Sequence, residues 1–182
     1  LNHPAVSGFC SLVQIERTES EWARQVDEHL PAVYRFLFGL CRNQAEAEDL
    51  AQQAFWRARR GGAYEGSERA WLLRIAYREF LNWRRRAWRV VALPFHMART
   101  EAGFEMAEAG IDLHRALGKL STEMRAAFLL VEVDDMTIAE AAKALGVPDG
   151  TIKSRVHRAR QRLRELLEPA QDNENEQRVW ER

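Results

Sequence analysis

Residues 150–160 read GTIKSRVHRAR, and five of the eleven are Lys, Arg or His. Side chains of these types at this spacing bind anions, and strung along one helix they bind a polyanion. On a wheel of about 100° per residue, Ile152, Val156, Ala159, Leu163 and Leu166 share one side. Lys153, Ser154, His157, Arg158 and Gln161 lie opposite, with Thr151 at the leading edge. A DNA major groove admits an α-helix whose N-terminal half carries the base-reading groups. Arg and Lys pair with guanine, and Gln or Ser reads either edge. Arg155, Arg160, Arg162 and Arg164 flank this face and suit phosphates, which position a protein without specifying sequence. A merely solvated helix face mixes signs, whereas this one stays positive until Glu165.

Such a helix must be held by another. Thr137-Ile138-Ala139-Glu140 fits a capping box, in which the Thr side chain accepts from the backbone and the Glu reaches back. The helix it opens places Ile138, Ala141, Ala142 and Leu145 inward. Gly146 follows where a left-handed C-cap is required, then Val147-Pro148, with Pro148 or Asp149 opening the next helix. Two helices joined by a short turn containing Gly form a helix-turn-helix. By itself this unit fits many repressors and activators.

Two further stretches carry unusual side chains. In EAEDLAQQAFWRARR (46–60), Glu46, Asp49, Gln52, Gln53 and Trp56 form an outward stripe at helical spacing. Acids and amides ending in Trp suit a protein partner better than DNA. In RAWLLRIAYREFLNWRRRAWR (69–89), Trp71, Leu72, Ile75, Ala76, Phe80 and Leu81 are expected inward. Tyr77, Trp83 and Trp88 interleave with Arg74, Arg78, Arg84, Arg85, Arg86 and Arg89. Aromatic faces accept unstacked bases and Arg side chains follow a phosphate path, a combination that describes a single-strand platform.

The rest of the chain reads as scaffold. β-branched alternation is missing, and Ala, Leu, Glu and Arg dominate, which favours an all-α fold. Helices are expected over about 19–41, 45–59, 68–89, 111–118, 122–133, 138–145 and 149–168. The first carries Trp22, Val26, Leu30, Val33, Phe36, Leu37 and Leu40 on one stripe, and Pro31 would kink or split it. The stretch 59–68 is a Gly-rich loop. These elements divide into an arm (1–18), a first helical domain (19–92), a flexible linker (93–110), a second domain ending in the helix-turn-helix (111–168) and a polar tail (169–182).

The 182 residues are 46% apolar, enough for two small cores. Formal net charge is zero, yet Asp149 to Arg164, with Asp149 its one acid, and Arg84 to Arg89 are basic patches separated by an acidic stretch. Local patches, not net charge, steer polyanions. No apolar run approaches the ~20 residues of a membrane span, and no secretory signal is read at the start, so a cytoplasmic chain is expected. Cys10 and Cys41 lack metal or redox spacing and read as free thiols of a reducing compartment. No nucleophile motif, metal spacing or phosphate loop occurs: a non-enzyme without cofactor or metal is expected.

Residues 20–168 resemble bacterial RNA polymerase sigma factors of the sigma-70 family, in the small extracytoplasmic-function group. AEDLAQQAFWRA resembles the helix that such factors dock on the clamp helices of the polymerase β′ subunit, which implies core-binding roles for Glu46, Asp49, Gln52, Gln53 and Trp56. RAWLLRIAYREFLNWRRR resembles the segment that melts and captures the −10 element, which implies roles for Arg74, Tyr77, Arg78, Asn82, Arg85 and Arg86. Tyr64, the one aromatic residue of the 61–68 loop, would pack beside the flipped base. LSTEMRAAFLLVEVDDMTIAEAAKALGVPDGTIKSRVHRARQRLREL resembles the −35-reading domain, which implies roles for Thr151, Lys153, Ser154, Arg155, His157, Arg158, Gln161 and Arg162. Two positions depart from the family: an acid often stands where Gln53 is, and Asn commonly stands where Arg78 is. Arg cannot copy the donor-plus-acceptor amide of Asn. The resemblance implies core polymerase (β′ clamp helices and β flap), promoter DNA and an anti-sigma factor as partners. The rival readings are a stand-alone helix-turn-helix regulator, expected to dimerise on palindromes, and a sigma-like protein that sequesters an anti-sigma factor.

Overall fold

A computed structural model describes residues 18–61, 66–90 and 108–167, the side chains of 88–90 and 108–111 excepted. The arm, the centre of the Gly-rich loop with Tyr64, most of the linker and the tail lie outside the described residues. Among the described residues every element is helical. They are α1 (Glu19–Cys41), α2 (Gln44–Arg60), α3 (Glu68–Val90), α4 (Glu108–Gly118), α5 (Thr122–Phe128), a π turn (Leu129–Val133), α6 (Ile138–Leu145) and α7 (Asp149–Leu167).

Capping residues set the boundaries. Thr18 opens α1 with a capping box: its Oγ1 accepts from the Glu21 amide at 3.3 Å and its own amide donates to Glu21 Oε2 at 2.9 Å. Pro31 neither splits α1 nor ends it, and the helix runs through for 23 residues. Arg42, at φ 59°, closes α1, and the next residue, Asn43, already caps α2 by accepting from the Glu46 amide at 3.0 Å. So tight a corner lays α2 back along α1. The buried side of α2 carries Ala47, Ala51, Ala54 and Ala58, all at most 2% exposed, small side chains that let neighbouring helices approach closely. Phe36, Leu37, Leu50, Leu72 and Leu73 fill the core of this first bundle; each contributes about 1.5–3 kcal/mol through burial. Leu30, expected inward, is 40% exposed: it stands at the margin of its stripe, where an apolar side chain need not be covered.

The second bundle is α4 to α7. Ser121 caps α5, its Oγ accepting from the Met124 amide at 3.2 Å. The single helix expected over 122–133 breaks into a π turn at Leu129, where the Asp134 amide reaches the Leu129 carbonyl at 3.0 Å. The expected start of α4 at Ile111 moves back to Glu108.

The two bundles are docked, and their apolar residues form one continuous core. α3 lies along α6, and α1 against α5 and the π turn. Gly39 of α1 faces the Leu129 side chain of the π turn: a methyl group built there would lie 2.6 Å from Leu129 Cδ1. Arg125 donates across the junction to the Leu40 carbonyl at 2.9 Å and within its own bundle to the carbonyls of Gly118 and Leu120, both at 3.1 Å. The first of these bonds satisfies a carbonyl that the end of α1 leaves without a helical partner. Burial, and next the nearby Arg42, lowers the Arg125 guanidinium pKa to about 10.

Candidate nucleic-acid interface

The local frame of α7 is as the sequence predicts. Thr137 Oγ1 accepts from the Glu140 amide at 3.3 Å, and the Thr137 amide donates to Glu140 Oε2 at 3.0 Å. The Thr137 hydroxyl also donates to Glu140 Oε2 at 2.7 Å, and this bond, then that from the Thr137 amide, lowers the pKa of the Glu140 carboxyl. Gly146 takes the left-handed conformation at φ 68°, and its amide bonds the Ala142 carbonyl. Three residues later α7 begins, with Ile152, Val156, Ala159 and Leu163 buried beneath it.

This anchoring turns the predicted reading face outward. Lys153, Ser154, His157, Arg158, Gln161 and Arg162 are exposed, while Thr151 and Arg155 are half-buried at its margins. Ser154 Oγ donates to the Thr151 carbonyl at 3.0 Å, and Arg158 Nε donates to the Ser154 carbonyl at 3.2 Å, so Arg158 lies folded along the first two turns. Arg160 pairs with Glu132 of the π turn at 2.6 Å, and Arg162 with Glu165 at 2.8 Å. Around His157, Arg160, Gln161 and Arg164 lies an open depression of about 420 Å³. An open surface hollow of this kind differs from the enclosed pocket that holds a small molecule.

α3 departs from expectation in one important respect. Arg74, Arg78, Arg85 and Arg86 are exposed, and Asn82 is half-buried. Arg85 and Arg86 lie back along the helix, their Nε atoms donating to the carbonyls of Leu81 and Asn82, both at 3.4 Å. Tyr77, however, is only 7% exposed. Its ring lies 6.4 Å from that of Phe36 and 6.5 Å from that of Phe80. Tyr77 is therefore core, not an open platform for a base; burial raises its phenol pKa. Trp83 is half-buried against Phe80, with centroids 5.7 Å apart.

On α2, Asp49, Gln52, Gln53 and Trp56 form an exposed stripe, and Glu46 at its head is half-buried. Trp56 is 61% exposed, an unusual position for the largest apolar side chain, and the Arg60 guanidinium sits 4.4 Å from its ring centroid. The nearby Arg57 reaches across to α3, where its Nε lies 2.7 Å from Oε1 of the buried Glu79. This is close enough for an ion pair, though not aligned as a hydrogen bond. Cys41 is a free thiol that donates to the Leu37 carbonyl at 2.7 Å, and burial pushes its pKa up to about 12, out of reach of thiolate chemistry.

Sequence reasoning missed Asp134. Its side chain is 0% exposed, and it is held by Arg35 of α1 at 2.5 Å and Arg69 of α3 at 3.0 Å. Two acids before a helix cap read as ordinary loop polarity, and nothing local distinguishes Asp134 from the exposed Asp135 beside it.

Family comparison matches both bundles. Residues 25–90 fit the sigma-70 region 2 model, and residues 111–163 the sigma-70 region 4 model. The extracytoplasmic-function sigma factor SigE of Mycolicibacterium smegmatis is 37% identical over 161 residues, 80% of this chain but only 61% of that protein. Its counterpart SigL of Mycobacterium tuberculosis (strain H37Rv) is 32% identical over 152 residues, 78% of this chain and 86% of the relative. Among solved structures, the sigma factor RpoE of Bartonella quintana, in complex with the anti-sigma factor NepR, superimposes with a TM-score of 0.70 at 31% identity, covering 81% of this chain and 97% of that one. Among the described residues no helix is long and apolar enough to cross a membrane. With regions 2 and 4 both matched in order along one all-helical chain, this protein belongs to the sigma-70 family of RNA polymerase sigma factors, in its extracytoplasmic-function group.

Proposed function

We propose that this chain joins core RNA polymerase and directs it to promoters, α7 reading the −35 element and α3 with the preceding loop receiving the −10 strand. The observation that carries this reading is the outward basic face of α7, fixed by a capped helix beneath it and a left-handed Gly turn before it. Docking on core polymerase falls to the α2 stripe, with Trp56 as its anchor, since a large exposed aromatic is the usual centre of binding energy at a protein interface. The arginines of α3 keep their exposure and suit the phosphates of a displaced strand. With Tyr77 buried, base stacking there falls to Tyr64. The family is one of regulatory proteins without catalysis of their own, so the work of this chain is recognition.

An anti-sigma factor is a further proposed partner, supported by the likeness to RpoE, whose structure was solved in such a complex. That partner would compete with polymerase rather than replace it.

Co-elution of the full chain with bacterial core RNA polymerase on a sizing column tests the reading without knowledge of any promoter. Stoichiometric co-elution, weakened at least tenfold by Trp56→Ala, is the expected result. A dimer peak without polymerase would favour the stand-alone regulator, and tight binding of an anti-sigma factor without polymerase the sequestering protein.

A further inference from the structure

We propose that Glu132 of the π turn withholds Arg160 from DNA, so that α7 meets phosphates with fewer cations than its sequence contains and draws a larger share of its affinity from base reading. That DNA is the polyanion rests on the promoter reading above; the hold on Arg160 does not.

The cations of α7 are not equivalent. Lys153 is exposed. Arg158 donates to the carbonyl and the hydroxyl of Ser154, at 3.2 and 3.4 Å, and these neutral acceptors leave its charge in place. Arg162 pairs with Glu165 of its own helix, and both side chains are about half exposed. Surface pairs of this kind are weak and yield to competing anions.

Arg160 is held by an acid from a different element. Its Nη2 donates to Glu132 Oε1 at 2.6 Å, a charge-assisted bond. Glu132 sits in the π turn between the buried Leu130 and the fully buried Asp134, so the fold sets its position before any ligand arrives. Its side chain is 25% exposed, against 58% for Arg160. A phosphate that took Arg160 would leave a part-buried carboxylate without its cation, a penalty that an exposed pair does not carry. The same carboxylate sets a negative charge beside the hollow that Arg160 lines with His157, Gln161 and Arg164.

A cation that keeps its own counter-charge releases no counterion from DNA, and the sequence-independent part of the affinity falls accordingly. Phosphate contacts carry no sequence information, so base reading by the first half of α7 weighs more in what remains. Arg160, which the helical wheel places among the phosphate contacts, becomes instead a tie between α7 and the π turn.

The test uses the full chain with Glu132→Gln, Arg160→Gln, the two together, and Asp135→Asn as a charge control. Gln keeps the length of the Glu side chain, and Asp135 is exposed at φ 51°, a conformation that Asn also adopts. Glu132→Ala removes the carboxylate outright and repeats the measurement without any bond that Gln retains. Three readouts are taken: the salt needed to elute each chain from heparin, the affinity for a scrambled duplex across a salt series, and that for a −35 duplex selected from a random pool. Glu132→Gln should delay elution and steepen the slope of log affinity against log salt by about 0.9, several-fold tighter binding near 0.1 M salt. Both duplexes should gain alike. The gain should largely vanish in the Arg160→Gln background and be much smaller for Asp135→Asn. An equal gain without Arg160, or from Asp135→Asn, would make the effect one of net charge and overturn the proposal. An unchanged slope with lowered thermal stability would make the pair a strut only and overturn it as well. A gain on heparin with no sequence recovered from the pool leaves the hold on Arg160 standing and removes the −35 reading instead.

Discussion

α7 and α3 are both basic helices with aromatic or apolar undersides, but they are packed differently. α7 has one buried side and one open side, so the wheel of its sequence separates Ile152, Val156, Ala159 and Leu163, which are buried, from Lys153, Ser154, His157, Arg158 and Gln161, which are exposed. α3 is covered by α1 and α2 on one side and by α6 on another, leaving only a strip with Arg74, Arg78, Arg85 and Arg86 in the open. Amphipathic aromatics such as Tyr77 have an apolar ring and a polar tip and fit either setting. On a singly covered helix a polar aromatic between arginines faces solvent; on a doubly covered one it is core. The comparison teaches that charge pattern locates an exposed basic face, while the number of covered sides decides which aromatic residues belong to it.

The largest expected effect tests that difference directly. Tyr77→Ala should cost stability on the order of 3 kcal/mol, as removal of a buried ring does, measured by chemical denaturation. Unchanged stability with a selective loss of −10 strand binding would break the comparison and return Tyr77 to the DNA face. On α7 the converse holds: Arg158→Ala should leave the denaturation midpoint unchanged while weakening −35 duplex binding by about 1–3 kcal/mol and relaxing preference at one base pair. A uniform loss across all duplex sequences would make Arg158 a phosphate contact. Thr137→Ala sharpens the point that α7 depends on its supporting helix; loss of the cap should cost about 1 kcal/mol of stability, and −35 affinity should fall only as far as unfolding accounts for it. A separate loss of affinity would mean that Thr137 itself meets DNA.

The smallest effect concerns the junction. His114 stacks on Phe38 across the two bundles, with centroids 5.3 Å apart. Burial, then the charges of Arg42 and Arg125, holds its pKa below the usual 6.5. The folded form therefore prefers the neutral ring, and the unfolded form takes up the proton first. The stability it contributes is full above about pH 6.5 and declines as pH falls through that value toward the depressed folded pKa. Thermal unfolding should accordingly drop slightly between about pH 7 and pH 5.5, and His114→Phe should flatten that part of the profile. An unaltered profile would exclude His114 as its source.

Most of the fold was legible because its signals are local. The Thr137 box, Gly146, the apolar stripes of α2 and α7 and the helix bounds all depend on residues within one or two turns of each other. The α2 stripe and the basic faces were legible for the same reason. The docking of the bundles was not. Its ion pairs join residues 99 and 65 positions apart, and Arg35 or Arg69 on a wheel resembles any solvated arginine. Gly39 likewise reads as a weak spot in a helix until Leu129 is seen opposite it. The exposed face of α3 was half legible: the arginines follow from charge, but the burial of Tyr77 required knowledge of what lies on the far side of α3.

The π turn at Leu129–Val133 has a consequence for how this chain tolerates change in length. The π turn closes the α5 segment and takes up one residue more than an α-helical turn would before the chain leaves for α6. Glu132 meets Arg160 from within the turn, and Asp134 meets Arg35 and Arg69 immediately after it. Both meetings therefore depend on where the turn ends. Deleting a single residue there should draw the two carboxylates off their partners together, one from α7 and one from the opposite bundle. A substitution in this stretch touches one partner, whereas a loss of length uncouples both.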